Sequence, residues 1–136
     1  MNTKSKYLFL FVLLATILSA CGAPAPTAAD PVTIAQGFWD AIHAKNVDAA
    51  MAFVADDIVT DGLPAHFTNK ADFSAFMLSE VIDDDGDILE ITDLKLASED
   101  TVTYTYKLIF RGNTEAGSGL AKLQVKDGKI IYMEFP

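Results

Sequence analysis

The chain has 136 residues, 51% of them apolar, which is enough for one domain with a buried core. Its formal charge is −9, and the first twenty residues hold two of the ten basic residues (Lys4 and Lys6) and none of the nineteen acidic ones, which leaves −11 from Cys21 onward. That balance argues against nucleic acid, since affinity for phosphate backbones comes from Lys and Arg, and against electrostatic docking on anionic lipid.

In chain order, Lys4 and Lys6 form a short basic start, and Tyr7 to Leu18 is a run of about a dozen apolar or small residues. Small residues then precede Cys21. A spanning helix needs about 20 apolar residues, and the Ala-Pro-Ala-Pro that follows cuts this run short, so residues 1–20 read as a secretory signal peptide. The order Leu18-Ser19-Ala20-Cys21 resembles the bacterial lipobox, in which cleavage before the Cys is coupled to its lipidation. The alternatives for the single thiol are a free sulfhydryl or half of an intermolecular disulfide. Two or more acyl chains hold a protein on a membrane where one does so only marginally. Gly22, in place of Asp, leans toward the outer membrane if there is one. Residues 21–31 then form the lipidated Cys and a Pro/Ala tether of roughly 30 Å reach at about 3.1 Å per residue.

Asp30-Pro31 reads as a helix N-cap followed by Pro at the first helical position. Thr33 and Gln36 offer a capping box one register later. Ile34, Phe38, Ala41 and Ile42 share one apolar face, with Trp39 on its flank and His43 on the polar side. Asn46 is expected to end this helix in the left-handed conformation. Residues 47–54 read as a second short helix packing Met51, Phe53 and Val54. Residues 57–61 read as a strand broken by Gly62-Leu63-Pro64, and Asn69 as the cap of a third helix that buries Phe73, Phe76 and Met77.

Strands fill the rest. Leu89 and Ile91 alternate in one phase and Leu94 and Leu96 in the other, which predicts a bulge near Thr92-Asp93 and a bent sheet. Val102, Tyr104, Tyr106, Leu108 and Phe110 make one face of a clean strand. Ala121, Leu123 and Val125 make one face of the next, Asp127-Gly128 is a hairpin turn, and Ile131, Met133 and Phe135 form the inner face of the last. The order α-α-β-α-β-β-β-β is that of an α+β domain, with helices against one face of a bent sheet and a hollow between them.

"FWDAIHAKNVDAAMAFVADDIV", the capped third helix and four strands ending in "DGKIIYMEF" resemble the SnoaL-like domains of the nuclear-transport-factor-2-like superfamily over residues 32–136. The resemblance implies a cone-shaped α+β barrel, three helices against a curved antiparallel sheet, with a pocket at the wide end and homodimers through the sheet face. The superfamily holds isomerases, cyclases, dehydratases, epoxide hydrolases and non-enzymes, so the fold alone leaves function open. The resemblance puts the isomerases' Tyr at Phe38, their general base at Gly62 and their later-strand Asp near Ala121. It also leaves Arg111 as the only Arg for an epoxide hydrolase. None of these sets is complete.

The acid–base candidates are therefore Asp61, one residue from the base position, and His66, five residues on and able to pair with it. The cone lining expected from the pattern is Phe38 and Trp39 from the first helix and Thr60 and His66 around the first strand's end. Phe76 joins from the third helix, and Tyr104, Tyr106 and Leu108 from the long strand. Trp39 caps the pocket or meets a partner, and the two Tyr hydroxyls lie at the rim or orient a ligand. His43 faces solvent. "IDDDGDILEIT" fails as a calcium loop, because Val81 and Thr92 occupy its first and twelfth positions, and with two separated His and one Cys no metal or cofactor is expected. The expectation is a membrane-anchored, extracytoplasmic, non-catalytic module for a small apolar ligand or a protein partner. The alternative is an isomerase-, cyclase- or dehydratase-like enzyme that uses Asp61 and His66.

Overall fold

A computed structural model describes residues 29–62, 66–82, 88–110 and 114–136. Residues 1–28, which include the expected signal peptide, Cys21 and most of the expected tether, lie outside the described residues, as do Leu63-Pro64-Ala65, the acidic segment 83–87 and Arg111.

The first helix, α1 (Pro31–His43), starts as Asp30-Pro31 suggests: the Asp30 carboxylate accepts from the Thr33 N–H and the Thr33 hydroxyl, both at 3.1 Å. Gln36 bonds Asp40 instead of closing a capping box. At the other end Lys45, not Asn46, takes the left-handed conformation (φ 55°). The Lys45 N–H donates to the Ile42 carbonyl and the Asn46 N–H to the Ala41 carbonyl, which satisfies two helix-end acceptors. Asn46 is thereby free to cap α2 (Val47–Met51), where its side chain accepts from the Ala49 N–H. This second helix stops three residues before the expected end. Val54 opens strand β1 (Val54–Asp61), and the Phe53 carbonyl accepts from the Ile130 N–H at 2.8 Å, so sheet pairing takes the backbone that helix periodicity claimed.

Asn69 caps α3 (Lys70–Phe76) by accepting from the Asp72 N–H. The helix then widens into π-helical turns over Met77–Ile82. The π repeat of five residues puts Met77 and Ile82 on one face, and both are buried. Four strands follow: β2 (Ile88–Leu96), β3 (Thr101–Phe110), β4 (Thr114–Lys126) and β5 (Lys129–Glu134).

The sheet order is β1-β5-β4-β3-β2, antiparallel throughout except that β1 joins β5 in parallel. The expected bulge in β2 is present: Asp93 has φ 56° and the register slips between Thr92 and Lys95. Asp127 and Gly128 both have positive φ, as a two-residue hairpin turn requires. Just beyond it the register slips again, so that Val125 faces Ile130 while Gln124 faces Tyr132. Ile131 is the extra residue, which makes Ile130, not Ile131, the buried partner of Met133. All three helices lie on one face of the sheet. Ile34, Phe38, Trp39 and Ile42 of α1 share the core with Val102 and Tyr104 of β3, Leu123 of β4 and Ile130 and Met133 of β5.

One glycine sits where the edge strand β1 meets the end of its neighbour β5. Gly62 follows β1 with φ 77°, and a Cβ there would lie 1.3 Å from the Phe135 carbonyl oxygen, while the Phe135 N–H donates to the Asp61 carbonyl at 3.0 Å. Gly62→Ala must strain the backbone and push the C-terminal segment away. Urea unfolding should show a loss of about 3 kcal/mol or more, and a loss under about 1 kcal/mol would refute this account.

Candidate functional site

The inner face carries most of the lining expected from sequence. Trp39 is buried in the core, with almost none of its surface exposed. Its indole meets Phe38 edge-on at 4.8 Å, Tyr104 at 5.3 Å and Phe135 at 6.5 Å. Tyr104 is fully buried, so its hydroxyl lies inside the core, not at a rim, and burial pushes its ionisation far above the usual tyrosine value. Neither the Trp39 Nε1 nor the Tyr104 hydroxyl has a hydrogen-bond partner. Thr60 is also fully buried, but its hydroxyl accepts from the Phe67 N–H at 3.1 Å. That bond carries Phe67 to Phe73 and Phe76, at 6.0 and 5.1 Å. Tyr106 is half-buried, with its ring 5.4 Å from Phe135, and Leu108 is half-buried two residues further along β3.

Across from this tyrosine strand the side chains shrink. Tyr104 pairs with Ala121, Tyr106 with Gly119 and Leu108 with Gly117. A Cβ at Gly117 would meet nothing within 4 Å, so the inner face thins into open space toward that end of β4. The three positions that the resemblance assigns to isomerase chemistry hold Phe38, Gly62 and Ala121. Thr60 is the only buried residue outside the apolar and aromatic set among those described, so no carboxylate, imidazole, amine or guanidinium is buried there.

Asp61 and His66 come together, but elsewhere. Strand alternation puts Asp61 on the face opposite Thr60, where its Oδ1 lies 2.9 Å from His66 Nδ1, with the two side chains 51% and 57% exposed. His66 therefore does not join the inner lining. The Tyr132 hydroxyl lies 2.9 Å from Asp61 Oδ2 and 2.8 Å from Glu134 Oε2, and Lys122 Nζ is 2.8 Å from Glu134 Oε2. The result is a surface relay, Lys122–Glu134–Tyr132–Asp61–His66. Lys122, and then Tyr132, hold the Glu134 carboxyl below the usual carboxylate range. The hydrogen bond to Glu134, desolvation and the bond to Asp61 push Tyr132 well above 10. Sequence reading missed Lys122, Tyr132 and Glu134. They lie in the polar phase of their strands, which was visible, but 71 residues separate Tyr132 from Asp61, and only the parallel pairing of β1 with β5 joins them.

Two other features lie apart from both clusters. An open groove of about 450 Å³ between α2, β1 and α3 is lined by Asp48, Met51, Asp56, Asn69, Lys70, Ala71 and Ser74. Lys70 partly fills it with bonds to Asp56 and to the Val54 carbonyl. His43 is exposed, as its place on the helix suggests, but its Nε2 sits 2.9 Å from the Leu89 carbonyl and ties α1 to β2.

The profile of the SnoaL-like domain matches residues 35–133. No curated protein matches the chain. Among solved structures, it is similar to an NTF2-like protein of unknown function from Cytophaga hutchinsonii (12% identity, 81% of this chain and 91% of that one, TM-score 0.67). It is similar to the Δ5-3-ketosteroid isomerase of a Mycobacterium species (20% identity, 78% and 92%, TM-score 0.61). A third similar structure is a Mycobacterium tuberculosis protein in complex with estradiol-17β-hemisuccinate (19% identity, 77% and 92%, TM-score 0.62). At these identities the likeness is one of fold.

The relay predicts a pH signature. An unfolded tyrosine ionises near 10.0, whereas folded Tyr132 holds its proton to higher pH. Its contribution is therefore complete below pH 10 and lost as pH rises beyond it, since the unfolded state sheds the proton first. The stability difference between wild type and Tyr132→Phe should shrink above pH 10 and stay level between pH 7 and 9. The exposed Asp61–His66 pair should matter little, with Asp61→Asn and His66→Gln each costing less than about 1 kcal/mol at pH 6. Urea titrations at each pH measure all three variants.

Proposed function

The chain belongs to the SnoaL-like domain family, and from that premise we propose that it is a lipid-anchored, extracytoplasmic module that binds a small apolar ligand without transforming it. The observation that carries this reading is the partition of chemistry across the sheet. The inner face is aromatic, aliphatic and glycine-lined, with no buried ionisable carboxylate, imidazole or amine among the described residues. The acid–base groups lie outside, in solvent. Apolar walls with a few polar groups suit retention of a ligand. General acid–base catalysis needs a titratable group within reach of the bound molecule. The steroid ester held by the Mycobacterium tuberculosis structure supports a ligand of similar character for this fold.

The anchor in this reading is the lipidated Cys21, the tether lifts the domain off the membrane, and residues 1–20 are the export signal. Two copies pair through the outer sheet face, where Leu120 is 61% exposed. The second reading is an enzyme, and the specific observation in its favour is the 2.9 Å contact between Asp61 and His66. Its weakness is that both groups point away from the core.

Native mass spectrometry of the protein purified from its own membranes tests the whole reading. The expected species begins at Cys21, carries a diacylglyceryl thioether, is dimeric and releases a small apolar molecule on activation. Cys21→Ser should move the chain from the membrane to the soluble fraction. A wild-type chain found free in the medium with an unmodified thiol would overturn the anchor. Turnover of a carbonyl compound that disappears in Asp61→Asn would replace the binding role with the enzymatic one.

A further inference from the structure

We propose that Phe135 is the resident guest of an aromatic cage on the inner face, a ring that turns out toward solvent to admit the flat aromatic ring of a ligand. This deepens the binding role proposed above and rests on it.

Three rings on the inner face converge on a fourth. Phe135 meets Trp39 at 6.5 Å and 89°, Tyr104 at 6.1 Å and 78°, and Tyr106 at 5.4 Å and 73°, so each contact is edge-on. This geometry sets the positive edge of one ring against the negative face of another, which an aliphatic group of the same volume cannot reproduce. Trp39 and Tyr104 are held in the core, at 1% and 0% exposure, whereas Phe135 is only half-buried. Two walls of the cage are thus rigid, and the guest already reaches water.

The backbone of Phe135 is fixed on both sides. Its N–H donates to the Asp61 carbonyl at 3.0 Å, and its own carbonyl oxygen lies 1.3 Å from where a Gly62 Cβ would be. That confines the movement to the side chain, and a change of χ1 rotamer carries the ring from the cage to the surface. Space for an incoming ligand adjoins the cage. A Cβ at Gly119, opposite Tyr106, would lie 3.2 Å from the Tyr106 ring and 3.4 Å from Pro136, so these two residues close that rung. At the next position on the same face, a Cβ at Gly117 would meet nothing within 4 Å. A ligand lodged there stands beside the ring it displaces. The exchange replaces like with like, because the ligand takes up the edge-on contacts that Phe135 gives up. Its apparent affinity is lowered by the small fraction of molecules whose ring is turned out.

The test uses the protein purified from its own membranes, in nanodiscs, with empty nanodiscs as reference. Two probes of one shape are compared: ethylbenzene, whose ring copies that of Phe135, and ethylcyclohexane, its saturated counterpart. Trp39 is the only tryptophan and borders the cage, so its emission reports binding. Wild type should bind ethylbenzene about tenfold tighter than ethylcyclohexane, in line with the sum of a few edge-on contacts. Phe135→Ala should melt at a lower temperature without ligand, yet bind ethylbenzene about tenfold tighter than wild type, since no resident ring competes. A Phe135 that serves only as wall would lose affinity together with stability. Equal or weaker binding by Phe135→Ala would therefore overturn the gate and leave the binding role standing. If that variant fails to fold, Phe135→Leu decides on the same scale, because it keeps apolar bulk and lacks the ring. Exchange of the Phe135 amide hydrogen should be unchanged by ethylbenzene, and faster exchange would overturn a movement of the ring alone. Equal binding of the two probes by wild type would overturn the aromatic cage. Binding of neither probe by any of these proteins would overturn the binding role and the cage with it.

Discussion

The edge-on packing of one indole determines how the rest of this domain is held together. Trp39 from α1 meets Tyr104 on β3 and Phe135 just beyond β5. Phe135 continues the linkage: its ring touches Tyr104 and Tyr106, its N–H bonds to the end of β1, and its carbonyl abuts Gly62. Helix α1, strand β3, the C-terminal segment and the edge strand β1 are thus bound through one aromatic cluster. Each such pair adds about 0.5–1.5 kcal/mol beyond the area it buries. The same packing strands the indole N–H and the phenol, because rings that fill the core edge-to-face offer hydrogen-bond donors few acceptors.

Strand alternation then sorts the chemistry. Successive residues of a strand point to opposite faces, so Thr60 goes in and Asp61 goes out. On β4 Lys122 lies between Ala121 and Leu123, which face the core, and on β5 Tyr132 and Glu134 flank buried Met133. The outward residues meet because β1 runs beside β5 with Asp61 opposite Glu134, and Glu134 opposite Lys122. Tyr132 has one proton and two carboxylates within 2.9 Å, so it donates to one at a time and couples Asp61 to Glu134. Such a relay stiffens the junction of β1 and β5 from outside, where water screens its charges.

Much of the fold was legible in the chain. Asp30-Pro31, Asn69, the phase slip around Thr92-Asp93 and Asp127-Gly128 each carry a local mechanism, and each acts where the residues say it should. The misreadings arose where a distant partner outweighed local pattern. Residues 52–54 look helical, yet Phe53 gives its carbonyl to Ile130 and Val54 joins the sheet. Ile131 fits a perfect alternation, yet the register slip after the hairpin hands its place to Ile130. The left-handed residue after α1 is Lys45, because Asn46 serves better as the next cap. In the site, the aromatic lining was readable from alternation, and so was the outward turn of Asp61. The depth of Trp39 and Tyr104 was not, since whether a hydroxyl ends at a rim or in a core depends on how far α1 lies across the sheet.

The glycine at the base position bears on the choice between binding and catalysis. In the family resemblance Gly62 stands where the isomerases carry their general base, and a missing carboxylate there could be read as one substitution away from activity. The backbone argues otherwise. Any Cβ at this position lands on the Phe135 carbonyl, and the positive φ disfavours every L side chain. The C-terminal segment would have to leave before a carboxylate could enter, and with it would go the Phe135 contacts to Trp39, Tyr104 and Tyr106. The same strand pairing that completes the aromatic core therefore occupies the space that a base would need.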